Sequence, residues 1–230
     1  MPTIIVGREA ALHSASSAFI TGTAMSRSPG TMQTMPVQES EFSATAQALI
    51  HSRQNISPRR LTEPGPSPTQ FEQLFDAAAA APDHGLLRPW RFVIIPQDQR
   101  AHLAEVFALA LVDRDPGATP EQIEQAREKA HRAPLLLLAV ARLGPAEPDI
   151  PALERMVSLG CAIQNMLLSA HAMGFGAGLT SGQAMKSAYM RTLFALADGE
   201  QPACFINIGT VSKHKPQRSR PGASEFVSTL

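Results

Sequence analysis

The run Pro-Leu-Leu-Leu-Leu-Ala-Val-Ala-Arg, residues 134–142, constrains the fold more than any other stretch of this chain. Its interior positions are all apolar, so neither a two-residue nor a 3.6-residue period gives it a wet face. Opened by a proline and closed by an arginine, it reads as a β-strand buried on both faces. The segment 152–173 makes the matching demand on a helix. Leu159, Cys161, Ile163, Met166, Leu167 and Leu168 make it apolar nearly all round, which places it in a core or a subunit interface.

The remaining elements follow from caps and breakers. Ser40 precedes a helix over 41–52, after which four prolines in "QNISPRRLTEPGPSP" force an extended crossing. "PTQFEQLFDAAAAA" is a helix capped by Ser67 or Thr69 and stopped before Pro82. Residues 91–95 read as a short strand and "DQRAHLAEVFALALVD" as a helix. Thr119 and Gln122 form a capping box around Pro120 at the start of the next helix. "AYMRTLFALAD" is a short helix and "CFINIGTV" a last core strand. The order gives an α+β sandwich of one sheet and several helices.

Composition narrows the function. Lys+Arg and Asp+Glu are equal at 20 each, so the basic surplus of a nucleic-acid binder is missing. No run approaches the apolar length of a membrane span. Cys161 and Cys204 lie in apolar company and read as buried thiols, in keeping with a reducing, cytoplasmic compartment. Residues 1–40 are rich in Ser and Thr, and "ALHSASSAFITGTAM" breaks the apolar core that a signal peptide needs. They are expected to form a flexible extension to a domain over 41–230, with a Ser-rich transit segment left open.

No phosphate-binding G-x-x-x-x-G-K-[ST], zinc-binding H-E-x-x-H or nucleophile elbow is present in the sequence. "GFGAGLTSG", 174–182, follows a helix rather than a strand, so it is not a dinucleotide fingerprint. Its glycines instead allow backbone N–H groups to come close to something flat or anionic. Two basic clusters remain: Arg53, Arg59 and Arg60, then Lys213, Lys215, Arg218 and Arg220. Each alone reads as a solvated run, but two flanking one domain suit a terminal phosphate. Asn55 and Ser57 are placed to hydrogen-bond the same group or the polar chain behind it.

"SPRRLTEPGPS…FDAAAAAPDHGLLRPWRF", "RAPLLLLAVA", "LGCAIQNMLLSAHAMGFGAGLTSG" and "INIGTVSKHKPQRSRP" together resemble the FMN-dependent nitroreductase family, its small minimal-type members above all. The resemblance spans 42–228. It implies a three-layer α+β sandwich with a mostly antiparallel central sheet, built as a homodimer with two FMN sites at the subunit interface. It also implies ping-pong hydride transfer from NADH or NADPH to FMN and on to a nitroaromatic, quinone or related small-molecule acceptor. The hydride chemistry is then the cofactor's, with no catalytic side chain, metal, nucleic acid or membrane involved.

Carried over by position, the family's phosphate grip falls on Arg53 and Ser57, with Gln54 and Asn55 beside them; the family's second arginine is absent here. Ala80, Pro82, His84 and Arg88 fall along the flavin edge, where a cation stabilises reduced FMN. Leu179, Thr180 and Ser181 fall against the flavin, where larger or charged residues occur in relatives. Lys213, Arg218 and Arg220 fall at the phosphate end. Trp90 reads as core, and Gln164 and Asn165 as either a family polar pair or a satisfied helix–helix contact. Two alternatives stay open: an FMN enzyme of another reaction type (flavin fragmentation, dehalogenation, ring dehydrogenation), and a non-catalytic flavin-binding or storage protein.

Overall fold

The computed structural model describes residues 41–145, 148–216 and 219–230. The expected extension over residues 1–40 therefore lies outside the described residues, as does Arg218. Six helices are described: α1 (Glu41–Ser52), α2 (Pro68–Ala79), α3 (Arg100–Arg114), α4 (Pro120–Glu128), α5 (Ala152–Ala172) and α6 (Ala188–Leu193). The strands are β1 (Leu61–Thr62), β2 (Trp90–Ile94), β3 (Leu135–Arg142), β4 (Gly176–Thr180) and β5 (Glu200–Val211).

The leucine run is indeed the buried strand. β3 lies between β2 and β5, antiparallel to both, with Trp90 opposite Ala141 and Leu135 opposite Ile208. On its other edge β5 pairs antiparallel with β4 and with β1. Successive β3 side chains therefore face opposite ways. Leu135, Leu137 and Ala139 join α2 and α5 in one core cluster, while Leu136, Leu138 and Val140 join α3 and α6 in another. Three layers result, as the resemblance implies.

Local signals hold at the helix starts. Thr119 accepts from Gln122 N and closes the expected box, and Ser67 rather than Thr69 caps α2 in the same way through Gln70. Asn165 Nδ2 donates to Ala77 O at 3.0 Å, so it is a satisfied contact between α5 and α2. Trp90 packs against the first core cluster, and both cysteines are free thiols. Burial pushes the Cys204 thiol up to about 11, which keeps it protonated.

Two features escaped the sequence. "GFGAGLTSG" contains a strand, β4, directly after α5. Arg100 is 1% exposed and fans its guanidinium over the carbonyls of Ile95, Ala130, Ala133 and Pro134 at 2.9–3.0 Å. It ties the end of β2 to the entry of β3, and burial lowers its pKa.

Candidate functional site

After α1 the chain runs alongside β4. Ile56 N donates to Ala177 O at 2.9 Å, Asn55 bridges in parallel with Ala177, and Asn55 Oδ1 accepts from Leu179 N at 3.1 Å. This approach is why β4 is built on glycine. A Cβ on Gly178 would run into the Ile56 carbonyl oxygen, and one on Gly176 into Val211 Cγ2. The sequence reading had these glycines admitting a ligand; at Gly176 and Gly178 they admit the protein's own chain. The result still serves a site, because it brings Asn55, two residues past Arg53, against Leu179.

The two basic clusters meet, though not whole. Arg220 Nη2 donates to Arg53 O at 3.0 Å, across most of the chain length. Burial first, then the neighbouring Arg220 charge, lowers the Arg53 pKa. Arg53 Nε is buried and, among the described residues, has no hydrogen-bond partner. Nor does either guanidinium have a carboxylate within 4.0 Å among the described residues. Two adjacent forks without an acid, one with an orphaned buried donor, are complementary to a bidentate anion. Gln54 and Ser57 are half-buried beside them, whereas Lys213 is exposed. The residue before it, Ser212, turns the chain by donating its N–H and hydroxyl to Arg60 O.

Arg59 goes elsewhere. It stands near Lys129 and Arg132 and lines, with Arg132, Glu105, Glu124 and Glu128, a cleft next to a cavity of about 350 Å³ beyond the end of β4. The inner wall is apolar, from Phe107, Leu136 and Phe205, and Thr180 and Ser181 form part of the lining. Asn207, 2% exposed, donates from Nδ2 to Gly178 O at 3.2 Å and Thr180 Oγ1 at 3.0 Å, which fixes that end of β4. Burial, then Arg132, Arg114 and Arg59, lowers the Lys129 pKa. Sequence reasoning missed Lys129 and Asn207. An asparagine inside the apolar run "CFINIG" was the available signal for Asn207; Lys129 carried none.

Ala80, Pro82, His84 and Arg88 form a separate group. α2 ends at Ala79, and Pro82 O accepts from the Ser158 hydroxyl of α5. Asp83 Oδ2 accepts from Arg88 N at 2.7 Å, while Asp83 Oδ1 is buried and, among the described residues, has no partner. His84 Nδ1 donates to Glu154 Oε1 at 2.6 Å at the start of α5. Gly85, Leu86 and Arg88 all have positive φ (64°, 55° and 48°), unusual for the two non-glycines and held in place by the Asp83 contact. Ala80, Pro82, His84 and Arg88 are exposed. Among the described residues no hydrogen bond or ion pair joins this group to Arg53, Arg220 or the end of β4.

The sequence model of the Nitroreductase family matches residues 53–210, from the first arginine of this site to the end of β5. The chain belongs to the nitroreductase family. Among relatives, it is 34% identical over 175 residues to a "Putative NAD(P)H nitroreductase" of Haemophilus influenzae, covering 76% of this chain and 94% of the relative. It is 31% identical over 181 residues to "Putative NAD(P)H nitroreductase YdjA" of Escherichia coli K12, covering 78% and 96%. A nitroreductase-like family protein from Bacillus cereus shares the fold at a TM-score of 0.69 and 17% identity, over 80% of this chain and 95% of that one. A variant of NfnB from Sphigopyxis sp. strain HMH, named as an FMN- and NADPH-dependent nitroreductase, does so at 0.63 and 19%, over 80% and 98%. As a nitroreductase-family chain it is an oxidoreductase. No described helix is long and apolar enough to cross a membrane.

Proposed function

We propose that the protein is an FMN-dependent NAD(P)H oxidoreductase that works as a homodimer and reduces nitroaromatic, quinone or related acceptors. The observation that carries this reading is the acid-free Arg53–Arg220 pair, with its buried Nε unpartnered among the described residues, joined through Asn55 to β4, whose far end lines a 350 Å³ cavity. The residues present fit a phosphate-tailed planar group. Arg53 and Arg220 would hold the phosphate, assisted by Arg218 and Lys213, and Gln54, Asn55 and Ser57 the polar chain behind it. Leu179, Thr180 and Ser181 would lie along the ring, and Lys129, exposed along the cavity lining, would supply a cation. When bound, FMN supplies the hydride-accepting and hydride-donating centre. The chain's task is to orient it, exclude water and stabilise negative charge, the role proposed for Lys129. Donor and acceptor then use one pocket in turn, which is the ping-pong order.

Ala80, Pro82, His84 and Arg88 enter through the second protomer. They stand apart from the phosphate grip within one chain, yet border the outer face of α5. There Leu153 is 77% and Val157 60% exposed, with Met156 between them on the same face. A Cβ on Gly160, one turn further on, would meet nothing within 4 Å. Such a stripe suits a close helix–helix contact between copies, and α1, which buries none of its residues, needs the same cover.

Absorbance of the purified protein, with FMN titrated into the flavin-free form, tests the reading. Arg53→Ala is expected to weaken FMN binding about 10- to 100-fold, the loss of one charge-assisted bidentate contact. A protein that binds no FMN, or an Arg53→Ala variant that binds it as tightly as the parent, would overturn it.

A further inference from the structure

The cavity rim holds more positive charge than a flavin requires. Arg114 and Arg132 line the cavity with Lys129, whose pKa burial and then these neighbouring cations lower. Among the described residues, Arg114 and Lys129 have no carboxylate within 4.0 Å, and Arg132 has only the exposed Glu128 at 3.9 Å, whereas Arg59 lines the neighbouring cleft with Glu105, Glu124 and Glu128. On the proposed reading the flavin phosphate is already held by Arg53 and Arg220, and one cation, Lys129, suffices for the ring. That leaves Arg114 and Arg132 at the entrance, with Glu128 the one carboxylate within 4.0 Å of either among the described residues.

Packing does not account for them. Arg127, on the same helix as the approach to Lys129, is answered by Glu105 at 2.8 Å and Glu124 at 3.5 Å, so acids are available in this layer and are spent there. Crowding like charges beside an apolar wall is unfavourable unless something negative arrives. Clefts lined by one sign of charge also raise the local concentration of opposite-signed solutes.

We propose that this rim selects substrates carrying an acidic group, with Arg114 and Arg132 receiving a phosphate or carboxylate while the rest of the molecule enters the cavity. This rests on the oxidoreductase reading and deepens it. The shared chemistry has two sources: the 2′-phosphate that distinguishes NADPH from NADH, or an acid group on the acceptor.

The test uses FMN-loaded protein with Arg114→Gln, Arg132→Gln and the double variant, each first checked for bound flavin by its visible spectrum. Two ratios of kcat/KM are measured: NADPH over NADH with a neutral acceptor, and 4-nitrobenzoate over 4-nitrobenzyl alcohol with one donor. In the parent at least one ratio is expected to favour the acidic partner and to shrink as salt rises past 0.1 M, where the screening length is about 10 Å. Each neutralised arginine is expected to cut that ratio about 3- to 10-fold, mostly through KM. Collapse of the first ratio assigns the rim to the donor, and of the second to the acceptor. If neither ratio favours the acidic partner, or both survive the double variant with flavin still bound, the proposal is wrong. A parent protein that never binds FMN overturns the oxidoreductase reading itself, and this proposal with it.

Discussion

Glu200 shows how a single residue joins distant parts of the chain. Its carboxylate accepts from Arg91 Nε and Nη2, both at 2.8 Å, and from Ala197 N at 3.2 Å, with Arg142 Nε at 3.4 Å. The Arg91 contact, helped by Ala197 N and Arg142 and opposed by burial, lowers its pKa from 4.5 to about 2. A lowered carboxylate pKa means stability that is fully present above the unfolded value near 4.5 and lost as pH falls through the folded value. The difference corresponds to about 3 kcal/mol. Urea unfolding from pH 7 down to pH 2 should therefore show the parent losing about that much more stability than Glu200→Gln between pH 4.5 and 2. An identical acid profile for the two proteins would refute the assignment. None of this was legible beforehand: Arg91 and Glu200 are 109 positions apart. A carboxylate opening a strand carries no mark of the guanidinium it will meet. Arg53 was readable as a phosphate ligand by position, but its partner Arg220 and its orphaned Nε were not.

At the level of elements, periodicity and caps found what local chemistry fixes. α1, α5, β2 and β3 stand within a residue or so of their expected bounds and α4 starts at its expected box, because an apolar run or a capping box states its own geometry. β4 was missed for the opposite reason. Three of its five residues are Gly or Ala, so it lacks the branched side chains that announce a strand, and only contact with Ile56 and β5 makes it one. Gly178→Ala tests that account. With the Ile56 carbonyl in the way, β4 or the 53–57 segment must shift, at a cost of about 1–3 kcal/mol. FMN affinity is expected to fall with stability. By contrast Gly160→Ala, where a Cβ meets nothing within 4 Å among the described residues, is expected to change thermal stability only through the proposed contact between copies, and so to lower it less than Gly178→Ala. Differential scanning calorimetry on both variants decides it.

On the scale of the whole molecule, the proposed site is incomplete in one chain. The phosphate grip and cavity belong to one group of elements, while Pro82, His84 and Arg88 belong to another beside the outward face of α5. If a second copy supplies the missing half, Val157→Glu on that face should shift the protein from dimer to monomer in sedimentation velocity. It should also lower FMN affinity, although Val157 lines neither the phosphate grip nor the cavity. A monomeric variant with undiminished flavin binding would separate assembly from the site and end that part of the reading.

The sequence by itself determined the layers: a strand apolar on both faces needs cover on both sides, and a helix apolar all round needs burial. It also determined the family, through four ordered motifs that the match over 53–210 bears out. Only the tertiary structure decided which charges meet. Arg53 went to Arg220, while Arg59, six residues on, went to Lys129 and Arg132. Residues a few positions apart around an extended, proline-marked turn leave in different directions, and nothing local in the chain sets where each one ends.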